Sequence, residues 1–191
     1  MKILIITEQR EGKWNKVSFE TLAAAQQMAQ QTKGSLSGVV IGKGVATLAD
    51  ELAATQLEDV LLVEHDLLER YTPDGFSIAL KQVISGAKPN LVLLPHTYQV
   101  RDFAPKLAAS LGKGMIGDCI SYRYDNGKLV FVRQMFQGRT AADVVFVGES
   151  PWVATFQAGA FRADLVVQRQ GGKVPVRPVP VELEYWQVEP V

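Results

Sequence analysis

Residues 91–112 read LVLLPHTYQVRDFAPKLAASLG. Leu91–Leu94 is an uninterrupted apolar run, which suits a strand covered on both faces rather than one with a wet side. Phe103, Leu107 and Leu111 then recur at a spacing of four, which is one face of a helix. A fully apolar strand followed at once by an amphipathic helix is half of a parallel crossover unit, and the pattern recurs upstream. Further strands are predicted at Ile3–Thr7, Leu36–Ile41 and Val60–Val63. Helices are predicted over about Phe19–Thr32, with Ser18 as N-cap and Gly34 beyond the end, and over about Val45–Ala54. A third starts at Thr72-Pro73-Asp74, which supplies a cap, a proline at the first helical position and an early acid, and stops near Ser85. The helix after Leu94 is expected to start near Asp102, as its N-cap, with Pro105 in the first turn where no intrahelical N–H bond is lost.

After Gly112 the character changes. Residues 120–124 and 129–133 flank Asp125-Asn126-Gly127, and Asn-Gly accepts the positive φ angles of a tight hairpin turn. Val144–Val147 and Trp152–Phe156 read as two more strands, separated by a Gly-Glu-Ser-Pro turn. The expected fold class is therefore α/β, a mostly parallel sheet flanked by helices, with a strand-rich antiparallel second half. The last stretch, from Gln170-Gly171-Gly172 through VPVRPVPVELEYWQVEP, alternates valine with proline, which suits an edge strand or an extended arm. On that basis residues 1–169 are expected to form the α/β domain and residues 170–191 an extended tail or linker.

Composition narrows the function. The 191 residues carry 20 Lys plus Arg against 20 Asp plus Glu, so no electrostatic footprint points to nucleic acid or an anionic membrane. No apolar run approaches the roughly 18 residues of a bilayer span, and MKILIITEQREG reads as a first strand rather than a signal peptide. A cytoplasmic protein is the expectation. One cysteine, Cys119, rules out an internal disulfide.

Several residue types with reactive side chains are present. His96 and Asp102 could form an acid–base pair and Cys119 a nucleophile, but Asp102 reads better as a cap and Cys119, in Met-Ile-Gly-Asp-Cys-Ile, as a small buried hydrophobe. Gly42-Lys43-Gly44 joins a strand to a helix and could hold an anion on backbone N–H groups, yet neither nucleotide fingerprint is present. His65 and His96 lie on different strand ends without a paired-ligand motif, so no metal site is expected. Tyr122, Tyr124, Phe131, Phe136, Trp152 and Phe156 could be core or interface.

Several short motifs in one order resemble the N-terminal domain of electron transfer flavoprotein alpha subunits. MKILIITEQREGKW is similar to that family's opening strand and its Glu-x-Arg-x-Gly turn. LVLLPHTYQVRDFAPKLAASLGKGMIGDC is similar to its strand-to-helix run, with Arg101, Asp102 and Pro105 at the signature positions. VRQMFQGRTAADVVF, which carries Gly138 and Arg139, resembles a later strand, and WVATFQAGAF the strand ending in Gly159-Ala160-Phe161. In the family Phe136 is often tyrosine and Arg139 usually asparagine. The resemblance implies a Rossmann-like fold of the adenine-nucleotide alpha-hydrolase kind. It further implies a scaffold without its own catalytic site that docks a beta subunit in a heterodimer, and electron flow from flavin dehydrogenases to an acceptor oxidoreductase. It also implies that no cofactor is bound by this stretch alone, FAD being held by a second domain with a Ser-Gly-Gly-Arg-Gly-like motif that this sequence lacks. The runner-up is a stand-alone module that binds AMP or another nucleotide, using strand ends near Thr7, Gly42, Lys43, Gly44 and Thr97. A hydrolase or thiol enzyme using His96, Asp102 or Cys119 stands third.

Overall fold

A computed structural model describes residues 1–188. Five strands follow the predicted apolar runs. They are β1 (Lys2–Ile6), β4 (Ser35–Gly42), β5 (Asp59–Glu64), β6 (Leu91–His96) and β10 (Trp152–Gln157). A two-residue hairpin, β2 (Gln9–Arg10) and β3 (Lys13–Trp14), follows β1. The crossover helices are α1 (Lys16–Thr32), α2 (Ala46–Leu52), α3 (Pro73–Ala87) and α4 (Tyr98–Ser110). The chain then adds β7 (Met115–Asp125), β8 (Lys128–Met135), β9 (Thr140–Val144) and β11 (Val176–Pro178).

The main sheet runs β11-β5-β4-β1-β6-β10-β7-β8-β9. Its pairings from β11 to β7 are all parallel, and β8 and β9 extend it antiparallel. Side chains of alternate parity build two cores. On one face Ile3, Ile5, Leu91, Leu93 and Phe156 meet Leu22 and Met28 of α1 and Leu48 and Leu52 of α2. On the other, Leu4, Ile6, Val92 and Leu94 meet Phe76 and Leu80 of α3 and Phe103 and Leu107 of α4. Coverage on both faces is why these strands are continuous apolar runs.

Local chemistry sets the element ends. Thr72 caps α3 by accepting from the Gly75 N–H, with Pro73 at the first helical position, as predicted. Asn126 and Gly127 both have positive φ, 48° and 80°, and turn β7 into β8. Gly34 is required by a close approach: a Cβ there would lie 2.2 Å from the Met1 carbonyl oxygen.

Four local expectations are corrected. The N-cap of α1 is Asn15, whose side chain accepts from the Val17 N–H, and Ser18 instead bonds the backbone of Glu8. The N-cap of α4 is Thr97, one turn ahead of Asp102, because its hydroxyl accepts from the Val100 N–H. Pro105 consequently lies inside α4, at an exposed position where water can reach the Arg101 carbonyl that proline cannot serve. The strand expected at 144–147 is displaced: β9 ends at Val144, and Val145 and Val147 lie beyond it, exposed.

The proline-rich stretch takes the edge-strand option. β11 adds to β5 with Val176 beside Val60 and Pro178 beside Leu62. Arg177 Nε reaches the Asp59 carboxylate at 3.2 Å. Val174, Val181, Leu183 and Val188 are all buried, and the last three join the α3/α4 core. Gln82 of α3 holds the Glu182 backbone through both its amide groups.

Candidate functional site

In an open parallel sheet the strand order reverses where two neighbouring strands send their crossovers to opposite faces, and ligands favour the carboxyl-end crevice there. Here that point lies between β1 and β6, whose helices α1 and α4 pack on opposite faces. Thr7, Gly42, Lys43, Gly44 and Thr97 all sit on this crest, and the side-chain polar groups of Thr7, Lys43 and Thr97 are already partnered. The buried Thr7 hydroxyl donates to the Val39 carbonyl at 2.6 Å. Lys43 Nζ lies 3.3 Å from Asp66 and 3.1 Å from Glu69, and those hydrogen bonds hold its ammonium above the ordinary lysine range. Beside Gly44, the Val45 N–H at the start of α2 donates to the Glu64 carboxylate at 2.7 Å. Gln9 covers Gly42: its Nε2 donates to the Ile41 carbonyl and would lie 2.7 Å from a Cβ on the glycine.

Between the two central helices lies Glu8. Its carboxylate accepts from Asn15 Nδ2 at 2.7 Å and from the Thr97 hydroxyl. Beside it opens a cleft of about 740 Å³, lined in part by Gln9, Arg10, Tyr71, Tyr98 and Asp102.

The signature residues separate. Arg101 lies over the exposed Tyr98 ring, 5.6 Å from its centroid. Asp102 accepts from the Tyr71 hydroxyl at 2.8 Å, and burial together with that bond pushes the phenol upward. The structure does not bring His96 and Asp102 together. His96 pairs instead with Thr155, Nδ1 to Oγ1 at 2.7 Å, and its Nε2 lies 3.6 Å from Asp118. Burial lowers the histidine below its ordinary value, and Asp118 opposes that shift only in part. The two partners lie 59 and 22 residues from His96, and no short-range pattern marks them; only the sheet order makes them neighbours. His65 caps a short turn through Nδ1, which accepts from the Leu67 N–H at 3.1 Å. Among the described residues no group of three metal-ligating side chains assembles.

Cys119 is fully buried, and burial pushes its thiol up to about 12. Since the thiolate is the nucleophile, the folded protein at pH 8 is expected to react with a disulfide-exchange reagent only over hours, and to react completely in guanidinium. Stoichiometric reaction within seconds would restore the thiol-enzyme reading.

The opposite end of the sheet is different in kind. β9 is an edge strand, Thr140-Ala141-Ala142-Asp143-Val144, with no lysine, proline or bulge, and its one charge, Asp143, is taken up by Arg123 of β7. Phe136 is 75% exposed at one end of it and Val147 92% exposed at the other. Phe136, Gln137 and Gly138 all have positive φ, and Arg139 closes the turn by donating its N–H to the Phe136 carbonyl at 3.3 Å. A bulky residue in that backbone region is uncommon and costs about 1 kcal/mol or more.

Comparisons with known proteins agree on one family. A family model described as "Electron transfer flavoprotein domain" matches residues 3–184. An electron transfer flavoprotein subunit alpha of Syntrophomonas wolfei is 37% identical over 155 residues, which is 81% of this chain and 47% of that protein. Its counterpart in Bacillus subtilis is 35% identical over 144 residues, 75% of this chain and 44% of that protein. An acryloyl-CoA reductase electron transfer subunit beta of Anaerotignum propionicum is 32% identical over 128 residues, 67% of this chain and 35% of that protein. The chain thus spans about half or less of the length of these relatives.

Proposed function

Since this chain belongs to the electron transfer flavoprotein domain family, we propose that it is the scaffold part of an alpha subunit of such a carrier. In that role it docks a beta subunit and supports FAD-mediated electron transfer from flavin dehydrogenases to an acceptor oxidoreductase, without a catalytic site of its own. Its relatives named as electron transfer subunits support the carrier class. No helix among the described residues is long and apolar enough to cross a membrane.

The observation that carries the docking is the edge at β9. An unblunted strand flanked by exposed Phe136 and Val147 is a surface that a partner covers. The uncommon backbone at Phe136 and Gln137 is strain that an interface compensates. On this reading FAD lies outside this chain's residues, which is supported by Glu8 engaging Asn15 Nδ2, Glu64 engaging the Val45 N–H and Gln9 covering Gly42.

Co-expression with a beta-type electron transfer flavoprotein subunit from the same genome tests the proposal. A 1:1 complex is expected by size exclusion. Phe136→Asp combined with Val147→Asp is expected to weaken it about 100-fold or more, since two interface anchors cost roughly 2 kcal/mol each or more, while leaving Tm unchanged. Failure to form any complex would overturn the docking role; a double variant that binds like the parent would move the interface away from β9.

A further inference from the structure

Glu8 occupies the place where a fold of this topology presents its anion site. Two helix N-termini, those of α1 and α4, converge beside it, and both N-cap side chains donate to its carboxylate, Asn15 Nδ2 to one oxygen and the Thr97 hydroxyl to the other. Helix N-termini favour negative charge by their dipoles and their unpaired N–H groups. The same residue is fixed from below, its N–H donating to Ser18 Oγ at 2.7 Å and its carbonyl accepting from Ser18 Oγ and from the Asn15 N–H. Elsewhere on the crest the pattern repeats. Glu64 accepts from the N–H of Val45, the N-cap of α2, and Asp66 and Glu69 neutralise the one lysine of the Gly-Lys-Gly turn.

From this we infer that Glu8 is a built-in substitute for a phosphate, which ties α1 to α4 across the sheet and excludes phosphorylated ligands from the crevice. The inference goes beyond the carrier role and does not depend on it. Two consequences separate it from a merely structural carboxylate. The parent protein takes no phosphate or AMP at the crest, although the topology there is that of a nucleotide site. Removing the carboxylate uncovers two N-cap donors and the ends of two helices, so Glu8→Ala acquires affinity for a free oxyanion.

Thermal unfolding of the parent and of Glu8→Ala, each in sodium phosphate, in AMP and in sodium chloride of equal ionic strength, tests it. The parent is expected to show no saturable difference between phosphate or AMP and chloride. Glu8→Ala is expected to show a saturable Tm rise in phosphate, on the order of 5 °C at tens of millimolar, and to lose most of that rise when Thr97→Val is added. If Glu8→Ala does not fold in chloride, folding restored by phosphate supports the inference. A variant that stays unfolded in both salts overturns it, as does a saturable AMP response of the parent or a folded Glu8→Ala indifferent to phosphate.

Discussion

Ending the chain at Arg169 is expected to leave a protein that does not fold stably. Composition alone draws a boundary there, yet the residues beyond it put Val174, Val181, Leu183 and Val188 into the two cores. At roughly 1.5–3 kcal/mol for each fully buried aliphatic side chain, these four contribute up to about 6–12 kcal/mol. A domain of this size has only about 5–15 kcal/mol in total. The cut also strips β5 of its outer neighbour and Asp59 of Arg177, leaving a carboxylate with little access to water and no cation. The measurement is soluble yield, far-UV circular dichroism and a urea melt of residues 1–169 against the full chain. A monomeric, cooperatively folding fragment with Tm within about 5 °C of the parent would show that the tail is a linker after all.

Phe156→Ala is expected to cost about 3–5 kcal/mol. Phe156 is 1% exposed and lies at the centre of an aromatic group, with ring centroids 4.7 Å from Phe161, 6.1 Å from Phe131 and 6.1 Å from Tyr122. It joins the parallel sheet to the antiparallel extension, because β10 pairs with β6 on one side and β7 on the other. The cavity left by the ring is closed in by sheet and helix, so little collapse can fill it. With an m-value near 2 kcal/mol/M, the urea midpoint is expected to fall by about 2 M. Phe136→Ala is the matched control: its ring is exposed, and its expected cost is within about 0.5 kcal/mol. Equal costs at the two positions would mean that the hairpin region is packed differently.

How far these features can be read from sequence depends on the range of the interaction behind them. Leu91–Leu94 and Leu36–Ile41 are legible because a strand buried on both faces must be apolar at every position. Thr72-Pro73-Asp74 and Asn126-Gly127 are legible because their signals are local backbone chemistry. Thr97 is missed as the cap of α4 because Tyr98-Gln99-Val100-Arg101 carries little apolar periodicity, so the first turn looks like loop and Asp102 looks like the start. The tail reads as a connector because proline spacing is a local property, whereas the burial of Val181 and Leu183 depends on α3, about 100 residues away. Glu8 and Thr97, 89 residues apart, meet only once the strand order is known. The distinction between a glutamate on a loop and one that fills an anion site therefore belongs to the topology.

The two ends of the sheet give the molecule a direction. On the β11 side Pro175, Pro178 and Pro180 interrupt the row of backbone donors, so a further strand finds few partners there. On the β9 side the row is intact. A particle with one receptive edge and one inert edge has a strand-pairing valence of one: a single pairing event uses it up. A further strand could add through β9 but would be opposed at β11, so the same prolines that hold the tail extended also work against end-to-end growth through this sheet.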